Sequence, residues 1–410
     1  MGYTPLHAVK TDEVYTAAFT RGRAMTSPDR LRADLVRLVH RGGGVRAFSL
    51  GAAQILARSV PFDGVSVLTM DPATCILTSA FVENGLRGEA AVRIAEIEYY
   101  ESDVNTFGAL ARSGRVAASL SGTTGGDLDR SLRHRELRAP KGFGDELRAV
   151  LVSNAATWGG LTLGRALDRE PFAPAEVALV ASLSGYLAEG LRRAMLLIAR
   201  SPELRDEDRS GGLALLAADN SISVADSRAE AWLDELATTG PDTRVPPVVT
   251  AVASRARRIA DGREPSGVLA RARVRTPSGI WLAVRGSVLG HEDDAQTAVT
   301  LEPAGPRELA PLIADAYELT GRERAVTQLV ALGLATDAIA DRLQVSPWTV
   351  QGHLKSIFEK VGVSSRGELV ARIFFGHYAP RLTDGEPVAW SLSSDPSRSA
   401  DTPPTGGTSG

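Results

Sequence analysis

Between Leu319 and Phe374 the chain starts and stops helices at intervals too short for anything but a bundle of short helices. Thr320 followed by Glu323 is a capping box, and Gly333 stands where a helix C′ residue belongs. Thr336 is placed to cap a second helix, with Asp337 at its positive end. Ser346 is placed to cap a third, and Pro347 occupies its first turn, where a missing N–H costs nothing. Ser365 with Glu368 reads as a further capping box. Between these signals the apolar residues fall on single faces: Val326, Leu329 and Val330; Ile339, Ala340 and Leu343; Val350, Leu354, Ile357, Phe358 and Val361; Leu369, Val370, Ile373 and Phe374. The spacing predicts four short helices containing a helix-turn-helix over 335–354. Its first helix is Thr336 to Leu343, and its second runs from Pro347 to about Val361.

The second of these helices carries Trp348, Gly352, Lys355, Ser356 and Glu359 opposite its apolar face, with Gln351 at the edge. The chain has only four lysines against forty-two arginines, and two of the four, Lys355 and Lys360, lie here. Net charge is −3, so any attraction to a polyanion has to be local. A helix presenting Lys, Gln and Thr donors on a free face suits the DNA major groove, and its N-terminal turn with Thr349 points donors at a phosphate. Gly352 weakens the helix by about 1 kcal/mol relative to Ala, but would let the backbone approach DNA closely.

The stretch "LTGRERAVTQLVALGLATDAIADRLQVSPWTVQGHLKSIFEKVGVSSRGELVARIF" resembles the LuxR-type DNA-binding domain of bacterial transcription regulators. The matching positions include Thr320, Glu323, Gly333, Ile339, Ala340, Thr349, Val350, His353, Lys360, Gly362 and Glu368. The resemblance implies a homodimer on double-stranded DNA, with bases read from Gln351, Gly352 and Lys355. Phosphate contacts are expected from Ser346, Thr349, Lys360 and Arg366, the last two with a solvated surface role as the alternative. His353 is expected to be packed or backbone-bonded, and Trp348 either to wedge against a sugar or to cover the core. Ala338 departs from the family, which usually has Glu before the "IA" pair.

The remainder reads as a multidomain chain: an extension (1–27), an α+β domain (28–200), a smaller α+β domain (210–303), the all-α helix-turn-helix domain (306–378) and a Ser/Pro/Gly/Thr-rich tail (382–410) expected to be disordered. The first domain reads as helix, two strands, helix, three strands, helix, with "SGTTGGDLDRS" as a loop and the stretch from "AVRIAEIEYY" to "ALARSG" as helical. No internal sequence repeat is visible. Through "DPATCILTS", "EYYESDVNTF", "RHRELRAPKGFGDELRAV" and "WGGLTLGR" the first domain resembles a GAF sensor. The second, through its strand order and the "TPSGIWLAV" hairpin, resembles a PAS-type fold. These resemblances imply a one-component regulator gated by its sensor domains, with a small-molecule ligand and RNA polymerase as further partners.

Candidate chemistry outside the DNA-binding end is thin. Cys75 is expected as a buried thiol in an apolar strand, His134 on a solvated basic face, and His291 in a polar loop, so no haem, bilin, flavin or other cofactor is expected. Asp71 follows a strand without the acidic pair and distal Lys of a phospho-receiver. A ligand pocket is expected between the first sheet and Tyr99 to Phe107. Val180, Leu183, Leu187, Leu191, Ala194 and Ile198 form a seam that either pairs two chains or covers its own sheet. No run reaches the ~18 to 20 apolar residues of a membrane span, and the start lacks the pattern of a signal peptide. The expected location is the cytoplasm, and no enzyme activity is expected. Two other readings remain: a sigma-factor-like polymerase subunit, which shares the "RER…IA…S…TV" pattern but lacks the "KVGVSSRGELV" extension, and a small-molecule enzyme tethered to DNA.

Overall fold

A computed structural model describes residues 27–196, 210–237, 245–290, 295–305 and 319–370, together with Glu308, Leu309, Leu312 and Tyr317. The expected extension apart from Ser27, the tail, and Ile198, His291, Ile373 and Phe374 lie outside the described residues.

Helices α1 (Pro28–Arg41) and α2 (Val45–Leu56) take up the first apolar run, separated by glycines whose positive φ at Gly42 and Gly43 ends α1. Strands β1 (Gly64–Met70), β2 (Leu77–Glu83), β3 (Ala117–Ser119), β4 (Phe143–Ser153) and β5 (Ala156–Ala166) form one antiparallel sheet in the order β2-β1-β5-β4-β3. The long helix α6 (Pro174–Leu196) lies with α1 and α2 across one face. The seam through Val180, Leu183, Leu187, Leu191 and Ala194 is buried in this core, so its described part covers its own sheet and pairs with no second chain. Gly190 permits the contact: a Cβ there would lie 2.0 Å from the Phe48 ring.

The opposite face carries α3 (Glu89–Tyr99), α4 (Phe107–Ser113) and α5 (Leu120–Thr124). The stretch expected as one helical run is broken between α3 and α4. The Asp103 carboxylate there accepts from Ser131 Oγ (3.0 Å), Leu132 N (3.0 Å) and Arg133 Nη1 (2.8 Å), and Thr106 caps α4 through Ala109 N. Part of the expected loop "SGTTGGDLDRS" is helical, because the Ser119 hydroxyl accepts from Gly122 N and caps α5.

His134 does not sit on a solvated face. It is 5% exposed, with Arg133 at 2% and Arg138 at 5%. Alternation along β4 points Leu147 and Ala149 at the helical layer and Glu146 and Arg148 at the other face, where charge is tolerated only if paired. Glu146 accepts from Arg133 Nη2 (2.7 Å) and pairs with Arg138 Nε (2.8 Å), while Arg148 Nη2 lies 2.9 Å from Glu98. Burial alone would raise the Glu146 pKa, but the guanidiniums of Arg133, Arg138 and Arg148 hold it well below the usual carboxylate range. Burial pushes the His134 pKa down. The pocket expected beside Tyr99 to Phe107 is filled: Tyr99 is 3% and Phe107 2% exposed, and the Arg148 guanidinium lies 3.7 Å from the Phe107 ring centroid. Cys75 is in the β1–β2 turn with φ 55°, half-buried rather than mid-strand, and burial raises its thiol pKa.

The second sheet contains β6 (Gly212–Leu216), β7 (Ile222–Ala225), β8 (Arg271–Arg275), β9 (Trp281–Leu289) and β10 (Gln296–Pro303) in the order β7-β6-β10-β9-β8. Both sheets therefore run second, first, fifth, fourth, third, although no sequence repeat announces it. Helices α7 (Ser227–Leu236) and α8 (Pro247–Ala260) pack on it. Every residue of α8 from Val248 to Ala256 is buried, because the helix also packs against α3 and β2 of the first unit. Ile76, Leu77, Ala95 and Tyr99 accordingly belong to the core of the second unit. Asp71 completes the joint. Its carboxylate, 1% exposed, accepts from Arg273 Nε (2.8 Å), Nη2 (2.6 Å) and backbone N (2.8 Å), while Arg273 Nη1 donates to the Glu308 carbonyl (2.7 Å).

Candidate nucleic-acid interface

Helices α9 (Gly321–Ala331), α10 (Thr336–Leu343), α11 (Pro347–Val361) and α12 (Arg366–Val370) form the expected bundle around Val326, Ile339, Val350, Leu354, Ile357 and Leu369. The Thr320–Glu323 capping box is present, and Gly333 follows α9 with φ 78°. Thr336 does not cap α10. The N-cap is Ala335, and the Thr336 hydroxyl instead accepts from Arg366 Nη2 (3.3 Å). Gln344 ends α10 in the left-handed region (φ 53°) and turns the chain toward α11. The second expected box is half formed: Ser365 Oγ accepts from Glu368 N (3.1 Å), but the Glu368 carboxylate takes Ser364 N (2.7 Å) rather than Ser365 N.

Ser346 caps α11 as expected, its hydroxyl accepting from Thr349 N (3.0 Å) and lying 2.8 Å from Thr349 Oγ1. From this turn the exposed face runs through Trp348, Gln351, Gly352, Lys355 and Glu359. Trp348 is 83% exposed, so of its two expected roles the structure removes core cover. A Cβ built at Gly352 meets no atom within 4 Å, so the fold of this chain does not require glycine there. His353 is half-buried at the border of the apolar face.

Lys360 and Arg366 both bond within the domain. Lys360 Nζ lies 2.7 Å from Glu323 Oε2, and Ser356 Oγ donates to Glu323 Oε1 (2.7 Å). Burial would raise the Glu323 pKa, but the bonds from Lys360, Ser356 and Thr320 hold it down to about 2. Arg366 Nη1 donates to the Leu334 carbonyl (3.0 Å) and ties α12 to the turn before α10. The capping box signalled only half of what Glu323 does, because its bonds to α11 depend on how α9 and α11 cross.

Residues 317–373 match the bacterial regulatory proteins of the luxR family. This end of the chain is a LuxR-family helix-turn-helix domain. Over 58 residues it is 47% identical to the transcriptional regulatory protein UhpA of Escherichia coli, covering 14% of this chain and 30% of that protein. Over 52 residues it is 52% identical to a putative HTH-type transcriptional regulator of Mycobacterium bovis, covering 13% of this chain and 6% of that one. The likeness thus spans less than a third of either relative. The structure of a VqmA–ligand–DNA complex from Vibrio cholera is 17% identical, covers 42% of this chain and 84% of its own, and has a TM-score of 0.20.

Proposed function

We propose that this chain is a sequence-specific, DNA-binding transcription regulator without catalytic activity, acting in the cytoplasm as a homodimer. The observation that carries the reading is the polar face of α11, exposed and capped by Ser346, within a domain that matches a regulatory family. Gln351, Gly352 and Lys355 read base edges in the major groove, and Ser346 and Thr349 meet the backbone at the N-terminal turn. Lys360 and Arg366 act on phosphate only through donors beyond those they spend on Glu323, Leu334 and Thr336.

The two sheet units are a GAF-like and a PAS-like sensor that gate the DNA-binding end and its approach to RNA polymerase. Their common strand order supports the assignment, as does the Arg273 bond to Glu308, which fastens the segment leading into the helical domain. Capture and sequencing of genomic fragments on the intact protein tests the proposal. One enriched motif with two-fold symmetry is expected, and recovery of no sequence above background overturns it.

A further inference from the structure

Trp348 differs from the other described tryptophans. Trp158, Trp232 and Trp281 are 1%, 2% and 7% exposed and serve the cores around them, whereas Trp348 is 83% exposed. No other large apolar side chain among the described residues is left so open to water. Aromatic rings carry the largest apolar areas a chain can bury, so this one gains nothing from the fold and would gain from a surface arriving outside it.

The direction of the ring selects that surface. Seven residues are close to two helical turns, so Trp348 and Lys355 leave α11 within about 20° of each other. Gln351 and Gly352 flank the same line, and all four are exposed. Thr349 points about 100° away from Trp348, so the hydroxyl proposed to meet the DNA backbone lies off this line. The rise from Trp348 to Lys355 is about 10 Å, about three base-pair steps. Side chains on a helix lean toward its N-terminus, which carries the ring to the base pair ahead of those under Gln351 and Lys355. Gly352 adds no side chain to the stripe, and a Cβ there would meet no atom within 4 Å, so a groove can close on the helix beside the ring.

We propose that Trp348 is a specificity-determining residue, its indole seated on the 5-methyl group of a thymine in the major groove. That methyl is the apolar group the groove displays, and apolar side chains read it by contact. Excluding water from ring and methyl together favours thymine over any other base at that place. The inference rests on the proposed recognition of DNA by α11, and deepens it by naming one base and the side chain that selects it.

The test measures binding of the full chain, by fluorescence anisotropy, to a duplex bearing the motif captured from genomic fragments. Copies of the duplex carry uracil, which lacks only the methyl, in place of one thymine at a time. Wild type should lose about three- to tenfold in affinity at one thymine of the half-site. Trp348→Ala should melt as wild type does, bind the parent duplex about tenfold or more weakly, and show no further loss at that same thymine. Equal weakening of every duplex by Trp348→Ala, the sensitive one included, overturns the proposal and leaves a contact to sugar or phosphate. Wild-type affinity in the variant, or a wild type indifferent to every missing methyl, overturns it as well. In each of those cases the captured duplex is still bound and the regulator stands, whereas a wild type that binds no captured duplex overturns both readings.

Discussion

Lys355 is the residue on which the interface depends most directly. It is exposed on α11 beside Gln351 and Gly352, so Lys355→Ala should leave the fold intact and weaken DNA binding. A base contact is worth about 1–3 kcal/mol of discrimination. A contact confined to phosphate would instead weaken all sequences alike and lower the salt slope by about one unit. Mobility shifts on cognate and random duplexes at several salt concentrations separate the two, and unchanged affinity for both refutes either role. Gly352→Ala makes the sharper case. With open space around the Cβ position, alanine should stabilise α11 by about 1 kcal/mol. The same methyl group would stand between the helix and the groove, so binding should weaken while the domain becomes more stable. Equal affinity in the two proteins would show that the backbone does not approach DNA at this point.

At the scale of elements, Glu323 holds three pieces together: the start of α9, the Ser356 hydroxyl and the Lys360 ammonium on α11. Its side chain is 5% exposed, so removing the charge strands a partly buried lysine. Glu323→Gln should destabilise the helical domain by about 1–3 kcal/mol at neutral pH. The pH dependence has a definite sign. A carboxyl held at about 2 in the folded chain and near 4.5 when unfolded contributes its full stability above pH 4.5. That contribution is lost as pH falls toward 2, and the difference between wild type and Glu323→Gln should close over the same window. Hydrogen exchange of the α9 amides reads it, and a difference that stays constant with pH would remove the ion pair from the explanation.

For the whole molecule, the decisive contact is between sheets. Asp71 and Arg273 are 1% and 2% exposed and meet through paired bonds, so Asp71→Ala leaves a buried guanidinium without its carboxylate. The expected loss is about 3–5 kcal/mol. Glu302→Ala removes a partner of Arg285 at an ion pair whose side chains are 40% and 44% exposed, where about 0–1 kcal/mol is expected. Calorimetry should show the two sheet units unfolding together in the wild type and separately in Asp71→Ala. Similar small effects from both substitutions would show that the shared core alone holds the units. The proposed homodimer is checked by sedimentation: a monomer at micromolar concentration, with and without DNA, rules out a two-fold operator. The α6 seam through Val180, Leu183, Leu187, Leu191 and Ala194 is buried in its own unit and offers no surface to a second chain.

The helical domain was legible because its information is local. Caps, a C′ glycine and apolar faces are set by residues three or four apart, and Thr320, Gly333, Ser346 and Pro347 stand in the structure where the sequence places them. Thr336 went elsewhere because its hydroxyl is claimed by Arg366, thirty residues along the chain. The two five-stranded sheets were also readable from turns and alternation, but their common strand order was not, since topology leaves no periodic mark. The basic face read around His134 in sequence becomes, through Arg133 and Arg138, part of the filled interior of the first unit, where both pair with Glu146. Only tertiary structure brings Asp103 and the inner face of β4 to them. The pairing of Asp71 with Arg273 is the extreme case: composition and spacing cannot join residues from different sheets, and packing decides which buried charge meets which.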